Sequence, residues 1–159
     1  MQAGMPQAPD DSGLVAYGGE VKISGYEWSW QMARSPSVLL SLPAAPLAAV
    51  LAAAGHPARF EILRILIRGP RPIAELQSEL GLSSPGQLYH HLKTLSGVGL
   101  IHQPERGVYQ VPGKMVFPVL AFAAAATDVA GPALNAALAD QGHPGSEAAA
   151  PFNPPPNSP

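Results

Sequence analysis

The segment Gly81-Leu82-Ser83-Ser84-Pro85-Gly86-Gln87-Leu88-Tyr89-His90-His91-Leu92-Lys93-Thr94-Leu95 decides how this chain folds. A polar turn runs into a helix whose Leu88, Leu92 and Leu95 recur at the i, i+4, i+7 spacing of a buried stripe. That leaves Gln87, Tyr89, His90 and Lys93 to project outward, a dense set of hydrogen-bonding groups for one short face. Immediately before it, Ile73-Ala74-Glu75-Leu76-Gln77-Ser78-Glu79-Leu80 reads as a second short amphipathic helix. Two short helices joined by a Gly-containing turn, the second with a polar outer face, predict a helix-turn-helix, the arrangement that lays a helix in the major groove of DNA.

The neighbouring segments extend this unit in both directions. Upstream, Pro43-Ala44-Ala45-Pro46 opens a helix through Leu47, Val50, Leu51 and Ala54, which Gly55-His56-Pro57 stops. Pro57 then serves as a first-turn proline for a helix through Phe60, Ile62, Leu63, Ile65, Leu66 and Ile67, ended by Gly69-Pro70-Arg71-Pro72. Ser84 is placed as the N-cap of the outward-facing helix, with Pro85 at its first position. Downstream of Gly97-Val98-Gly99 the apolar period drops to two, through Leu100, Ile101, Val108, Tyr109 and Val111, which predicts a β-hairpin with Arg106-Gly107 at its tip. A helix-turn-helix followed at once by a hairpin is a winged helix. Met115 to Ala130 reads as a further apolar helix, broken by Gly131-Pro132, with Ala133 to Ala139 as a short final helix. An Ala-rich helix with so little charge needs cover on most sides, which points to a dimer interface.

The two ends differ in character. Residues 13 to 30 alternate Val15, Tyr17, Val21, Ile23, Tyr26, Trp28 and Trp30 around Gly18-Gly19 and Ser24-Gly25, the pattern of a small hairpin. Packing onto the domain is the plain expectation for it, and an aromatic ligand or partner pocket the functional one. Of the 159 residues, 19 are proline and 16 glycine, concentrated toward the termini. Gln141 to Pro159 has almost no large apolar residues and is expected to be disordered, as are residues 1 to 12. The resulting division is 1–12 disordered, 13–42 hairpin extension, 43–114 winged helix-turn-helix, 115–140 dimerisation helix and 141–159 Pro-rich tail.

Composition removes several function classes. There is no cysteine, which excludes disulfides and thiolate metal ligands. No basic-then-apolar leader opens the chain, and the apolar run Met115 to Ala126 is shorter than the ~20 residues of a membrane span, so a cytoplasmic protein with no membrane partner is expected. Formal charge is −2 overall, yet between His56 and Lys114 seven arginines and lysines face four glutamates, an excess of +3. A basic centre between acidic ends suits phosphate neutralisation, from which much of DNA-binding affinity comes. There is no Gly-rich phosphate loop, no Ser/His/acid set and no paired carboxylates on a common face, so no enzyme is expected.

Taken together, the sequence resembles the ArsR/SmtB family of bacterial winged-helix repressors over about Leu47 to Val129. The resemblance rests on Ala54-Gly55-His56-Pro57-Ala58-Arg59-Phe60-Glu61-Ile62-Leu63, on Ile73 to Gly81, on Tyr89-His90-His91-Leu92-Lys93-Thr94-Leu95, on Gly97-Val98-Gly99-Leu100-Ile101 and on Gly107-Val108-Tyr109. It implies a homodimer, held by its first and last helices, with two recognition helices in successive major grooves of a palindromic operator. Two departures matter. Ser84-Pro85-Gly86 makes the turn into the recognition helix one residue longer than the family's usual dipeptide, which shifts the base-facing positions. Metal-sensing members carry cysteines near the recognition helix or Asp/His/Glu sets on the last helix; this chain has no cysteine and only Asp128 there, so that role does not carry over, and neither metal nor cofactor is expected.

The candidate DNA-contacting residues are Ser84, Gln87, Tyr89, His90, Lys93 and Arg106. Gln87 can bridge adenine N6 and N7, Lys93 is a phosphate partner, and Tyr89 suits a phosphate or a thymine methyl. Arg106 at the wing tip can reach the minor groove or backbone. His90 and His91, adjacent on a helix, point about 100° apart and chelate one ion poorly. Of Arg59, Arg64 and Arg68, which can instead pair with Glu61, one is expected to touch phosphate. The expectation is thus a mostly α protein with a small β component: a winged helix-turn-helix with an N-terminal hairpin and a C-terminal dimerisation helix. It would act as a homodimeric repressor on double-stranded DNA, with room for an unidentified small-molecule or protein effector. The competing expectation is a winged-helix protein-interaction module using the aromatic hairpin and apolar last helix.

Overall fold

A computed structural model describes residues 12–141. In chain order they form β1 (Val15–Ile23), β2 (Tyr26–Arg34), α1 (Pro36–Ser41), α2 (Ala44–Ala54), α3 (Pro57–Ile67), β3 (Arg71–Pro72), α4 (Ile73–Leu80), α5 (Pro85–Gly97), β4 (His102–Glu105), β5 (Val108–Gln110) and α6 (Gly113–Asp140). The expected disorder of residues 1–12 and 141–159 falls almost wholly outside the described residues.

The core assembles on the stripe identified in the opening segment. Leu88, Leu92 and Leu95 of α5 are fully shielded, as are Ile62, Leu63 and Leu66 of α3, Leu76 of α4, Ile101, and Val116 and Val119 of α6. Among the described residues the buried set contains no polar or charged side chain. The turn between α4 and α5 is closed by Gly81, whose φ of 62° lies in the left-handed region. Its N–H donates to Ser78 O at 3.2 Å, and the Leu82 N–H donates to Gln77 O at 3.3 Å, so two end carbonyls of α4 are satisfied. Leu82 packs against the core from beyond this turn.

The wing is a three-stranded sheet in the order β3-β5-β4. β4 and β5 form the expected hairpin, closed by Arg106-Gly107 with Gly107 at φ 78°. The third strand is the two-residue β3, in which Arg71 pairs with Tyr109 and Pro72 with Val108. No local signal announces it, because its partner is more than thirty residues away along the chain. The Ile73 N–H at the start of α4 donates to Gly107 O at 3.0 Å, tying the wing tip to the first helix of the helix-turn-helix. Arg71 reinforces the junction through Glu79 at 3.2 Å and Glu75 at 3.9 Å.

The N-terminal hairpin forms as expected, with one refinement. Ser24 (φ 53°) and Gly25 (φ 84°) make a two-residue turn with both residues left-handed, the geometry that matches strand twist. Gly18-Gly19 lie inside β1 instead; a Cβ on Gly18 would come within 2.6 Å of Trp30 O across the ladder. The register pairs Gly19 with Trp30, Val21 with Trp28 and Ile23 with Tyr26, so these share one face. Val21, Ile23 and Trp28 pack against the core. The packing expectation for the hairpin is therefore met. The extension also contains α1, a helix unforeseen from sequence, capped by Ser35 with Pro36 in its first turn.

The last helix corrects two expectations. α6 runs unbroken for 28 residues through Gly131-Pro132. Pro132 removes one backbone donor, but Asp128, whose carbonyl loses its partner, is exposed and can be hydrated, and the alanines on either side favour helix. The continuous helix is also long and apolar enough to cross a membrane by length and composition, so the argument from a short apolar run does not hold. Its opening turns are otherwise committed, since Val116, Phe117 and Val119 are buried in the domain core. Residues from Ala123 onward form a separate unit.

Because Leu92 is almost wholly buried at the centre of this packing, Leu92→Ala is expected to cost about 2–5 kcal/mol of folding stability. The neighbouring exposed Lys93→Ala should change it by less than about 0.5 kcal/mol. Urea unfolding followed by the fluorescence of Trp28 and Trp30 measures both.

Candidate nucleic-acid interface

The burial of three leucines sets the rotation of α5, and the remaining side chains follow. Gln87, Tyr89, His90 and Lys93 are all exposed, Tyr89 by 53 % despite its size. They do not form one group. A cleft of about 630 Å³ on the α3 side of the helix is lined by His56, Ala58, Leu82, Ser84, Gly86, Gln87, His90 and His91. A second, of about 510 Å³, lies between the helix and the wing, lined by Tyr89, Lys93, Ser96, Gly97, Gln103 and Tyr109. The structure thus brings Ser84, Gln87 and His90 together on one side, and Tyr89 and Lys93 on the other. Arg106 stands apart on the wing turn, exposed. Neither lining includes a carboxylate.

Ser84 occupies the N-cap position with extended backbone, but its side chain makes no capping hydrogen bond. Arg59 and Arg64 of α3, and Arg68 at its C-cap, each make a contact within the protein. Arg59 reaches back to Ala52 O at 2.9 Å and Ala53 O at 2.5 Å, closing the C-terminal end of α2 with a cation. Arg64 pairs with Glu61 at 3.0 Å, and Arg68 donates to Arg64 O at 3.2 Å. Arg64 and Arg68 are exposed, and each keeps further N–H donors beyond these contacts.

Several lining residues went unnoticed in the sequence. Gln103 is the strut of the wing: its Nε2 donates to the Tyr109 hydroxyl at 2.8 Å and its Oε1 accepts from the Gly107 N–H at 3.0 Å. Burial, and secondarily the neighbouring Tyr89, push the Tyr109 hydroxyl above its ordinary range, so it stays protonated and available as a donor. His56 N-caps α3, its Nδ1 accepting from the Ala58 N–H at 3.1 Å. The signal for that role was the His-Pro step at a helix start, which reads equally well as a helix stop. His91 packs against His56 with ring centroids 4.8 Å apart. Its pKa is lowered by burial first and then by His56, Arg59 and His90. Among the described residues no three His, Asp or Glu side chains are grouped to hold a metal ion.

These elements define the class: the chain is a winged helix-turn-helix protein, with α4 and α5 as the two helices and β3, β4 and β5 as the wing. Residues 54–104 match the family described as "Helix-turn-helix domain", which covers α3 through most of β4. No curated protein matches the chain significantly. Among solved structures, it is similar to HlyU from Vibrio cholerae, with 25% identity over 50% of this chain and 89% of that one at a TM-score of 0.43. It is similar as well to an ArsR-like transcriptional regulator from a Rhodococcus species, with 28% identity over 60% and 89% of the two chains at 0.40. A third similar structure is the homodimeric winged helix-turn-helix DNA-binding domain of a possible ArsR-family transcriptional regulator from Mycobacterium bovis, at 20% identity, 59% and 87% coverage and a TM-score of 0.47. The superpositions are partial, and the winged-helix architecture is established by the chain's own elements.

Removing the strut by Gln103→Ala should free the Gly107 amide and loosen the wing tip. Hydrogen exchange at Gly107 is expected to accelerate several-fold, in line with the roughly 0.5–1.5 kcal/mol of a neutral hydrogen bond, with exchange in α5 unchanged.

Proposed function

We propose that this protein is a DNA-binding transcriptional regulator of the ArsR kind, acting as a homodimeric repressor that occludes a promoter. The observation that carries the reading is the recognition helix itself. Its apolar stripe is spent in the core, and its polar face lies between two clefts free of carboxylates. In this reading Gln87 and His90 approach base edges in the major groove, with Tyr89 at their flank. Lys93, Arg106 and Ser84 hold the phosphate backbone, which fixes register without carrying sequence information. The low net charge of the chain sets each protomer's non-specific affinity low, so two half-sites engaged together are needed for tight binding.

The dimer finds support in α2, which contains no polar side chain along Ala44–Ala54 and leaves Leu47 and Leu51 exposed by 45% and 59%. Independently, the unit from Ala123 onward exposes Val129, Leu134 and Leu138. Apolar helices with so little polar cover are the usual material of a homodimer interface. The competing protein-interaction reading keeps only part of the hairpin, because Val21, Ile23 and Trp28 pack on the domain while Tyr17 and Tyr26 stay exposed. An effector of the proposed repressor, small molecule or protein, has no site assigned to it.

Fluorescence anisotropy of a labelled fragment from immediately upstream of the coding region, titrated at two salt concentrations with unrelated duplex as competitor, tests the regulator. Tight binding that survives competitor and weakens by roughly a thousandfold or more between 50 and 200 mM salt is expected for six to ten phosphate contacts. No binding at low salt overturns the reading in favour of the interaction module. Gln87→Ala should cost about 1–3 kcal/mol more on the specific fragment than on unrelated DNA. For the dimer, Leu51→Asp is expected to shift sedimentation from two copies to one.

A further inference from the structure

Three of the chain's histidines meet in one place. His56 at the start of α3 and His90 and His91 on α5 all line the cleft beside the recognition helix. The His91 ring lies 4.8 Å from His56 and 6.0 Å from His90, centroid to centroid. Its Nδ1 is shielded from solvent and has no hydrogen-bond partner. The His56 Nδ1 is occupied as the acceptor of the Ala58 N–H. The other charged group facing His91 is Arg59 of α3. The cleft thus gathers three imidazoles beside a guanidinium, with the Ser84 hydroxyl and Gln87 amide at its rim and no acidic lining. Such a site repels protons when empty and gains from an anion that lets it accept one.

Resting on the regulator reading, we propose that the cleft between α3 and α5 seats a backbone phosphate of duplex DNA, and that seating it takes up a proton on His91. DNA binding then strengthens as the medium becomes more acid. The direction follows from the free protein: burial, His56, Arg59 and His90 hold His91 neutral near pH 7. A phosphodiester in the cleft offsets that repulsion and raises the pKa. A group that is more basic in the complex than in the free protein binds a proton on association, within the window between its two pKa values. His56 contributes here as a positioning residue, fixing the α3 start beside His91.

The experiment is anisotropy with a labelled duplex of unrelated sequence, since a phosphate contact is sequence-independent, at constant ionic strength between about pH 6 and about pH 8. The expected result is tightening that approaches about tenfold per pH unit for each proton taken up. His91→Gln should flatten that slope. His56→Asn, which keeps an N-cap acceptor, should reduce it. His102→Gln on the wing should retain it in full. A carbon-13 titration of the imidazoles, with and without duplex, should show the His91 pKa rising on binding, and it keeps the test alive if His91→Gln does not fold. Binding of normal strength with the same pH slope in every variant overturns the phosphate seat and leaves the regulator standing. No binding at any pH in low salt overturns the regulator reading and the phosphate seat with it.

Discussion

The rest of the structure depends on the insertion of Leu88, Leu92 and Leu95 into the apolar layer formed by Ile62, Leu63, Leu66 and Leu76. A helix can rotate about its axis freely until its side chains are locked, and three consecutive-turn leucines lock it at one angle. Everything outward-facing on α5 is a consequence of that angle. The same packing explains why a short helix of modest intrinsic propensity, containing Gly86, Tyr89 and two histidines, is stable at all: burial of its inner face supplies what propensity does not. Specificity and stability are therefore coupled through one row of leucines, and the polar face is free to vary as long as that row is kept.

Much of the architecture was legible because its signals are local. The leucine stripe, the proline at the first turn of α3, the Gly81 turn and the alternation of the wing each announce themselves within a few residues. What escaped is what only distance in space creates. β3 is two residues long and includes a proline; nothing in Arg71-Pro72 shows that it pairs with Tyr109 and Val108. The role of Arg59 as a tie between α2 and α3 was hidden for the same reason, since nothing in its own helix shows that it reaches Ala52 and Ala53. Gly131-Pro132 misled in the opposite sense. Punctuation that ends a helix in a buried setting is tolerated where water can satisfy the stranded carbonyl.

The candidate site shows the same division. The outward set on α5 follows from periodicity alone, so Gln87, Tyr89, His90 and Lys93 lie where the heptad-like spacing puts them. Their partition into two clefts does not follow from periodicity, because it depends on which neighbour, α3 or the wing, flanks each edge of the helix. His56 and Gln103 belong to those neighbours. Each looked like ordinary polar residues of a turn and a strand, and each becomes significant only through what it touches: His56 through His91, Gln103 through Tyr109 and Gly107.

The bond from Ile73 N–H to Gly107 O has a consequence for what kind of duplex this fold could accept. The wing tip is stitched to α4 by that bond, to Tyr109 and the β4 strand by Gln103, and to the α3–α4 connection by β3. α4 is in turn fastened to α5 through the closed Gly81 turn. The tip and the recognition helix are thus the two jaws of a rigid calliper. A hinged wing would adapt to local groove width, whereas jaws at a set opening would register it. For a DNA-bound protein this makes sequence-dependent groove shape, at base pairs no side chain touches, an energetic term in its own right.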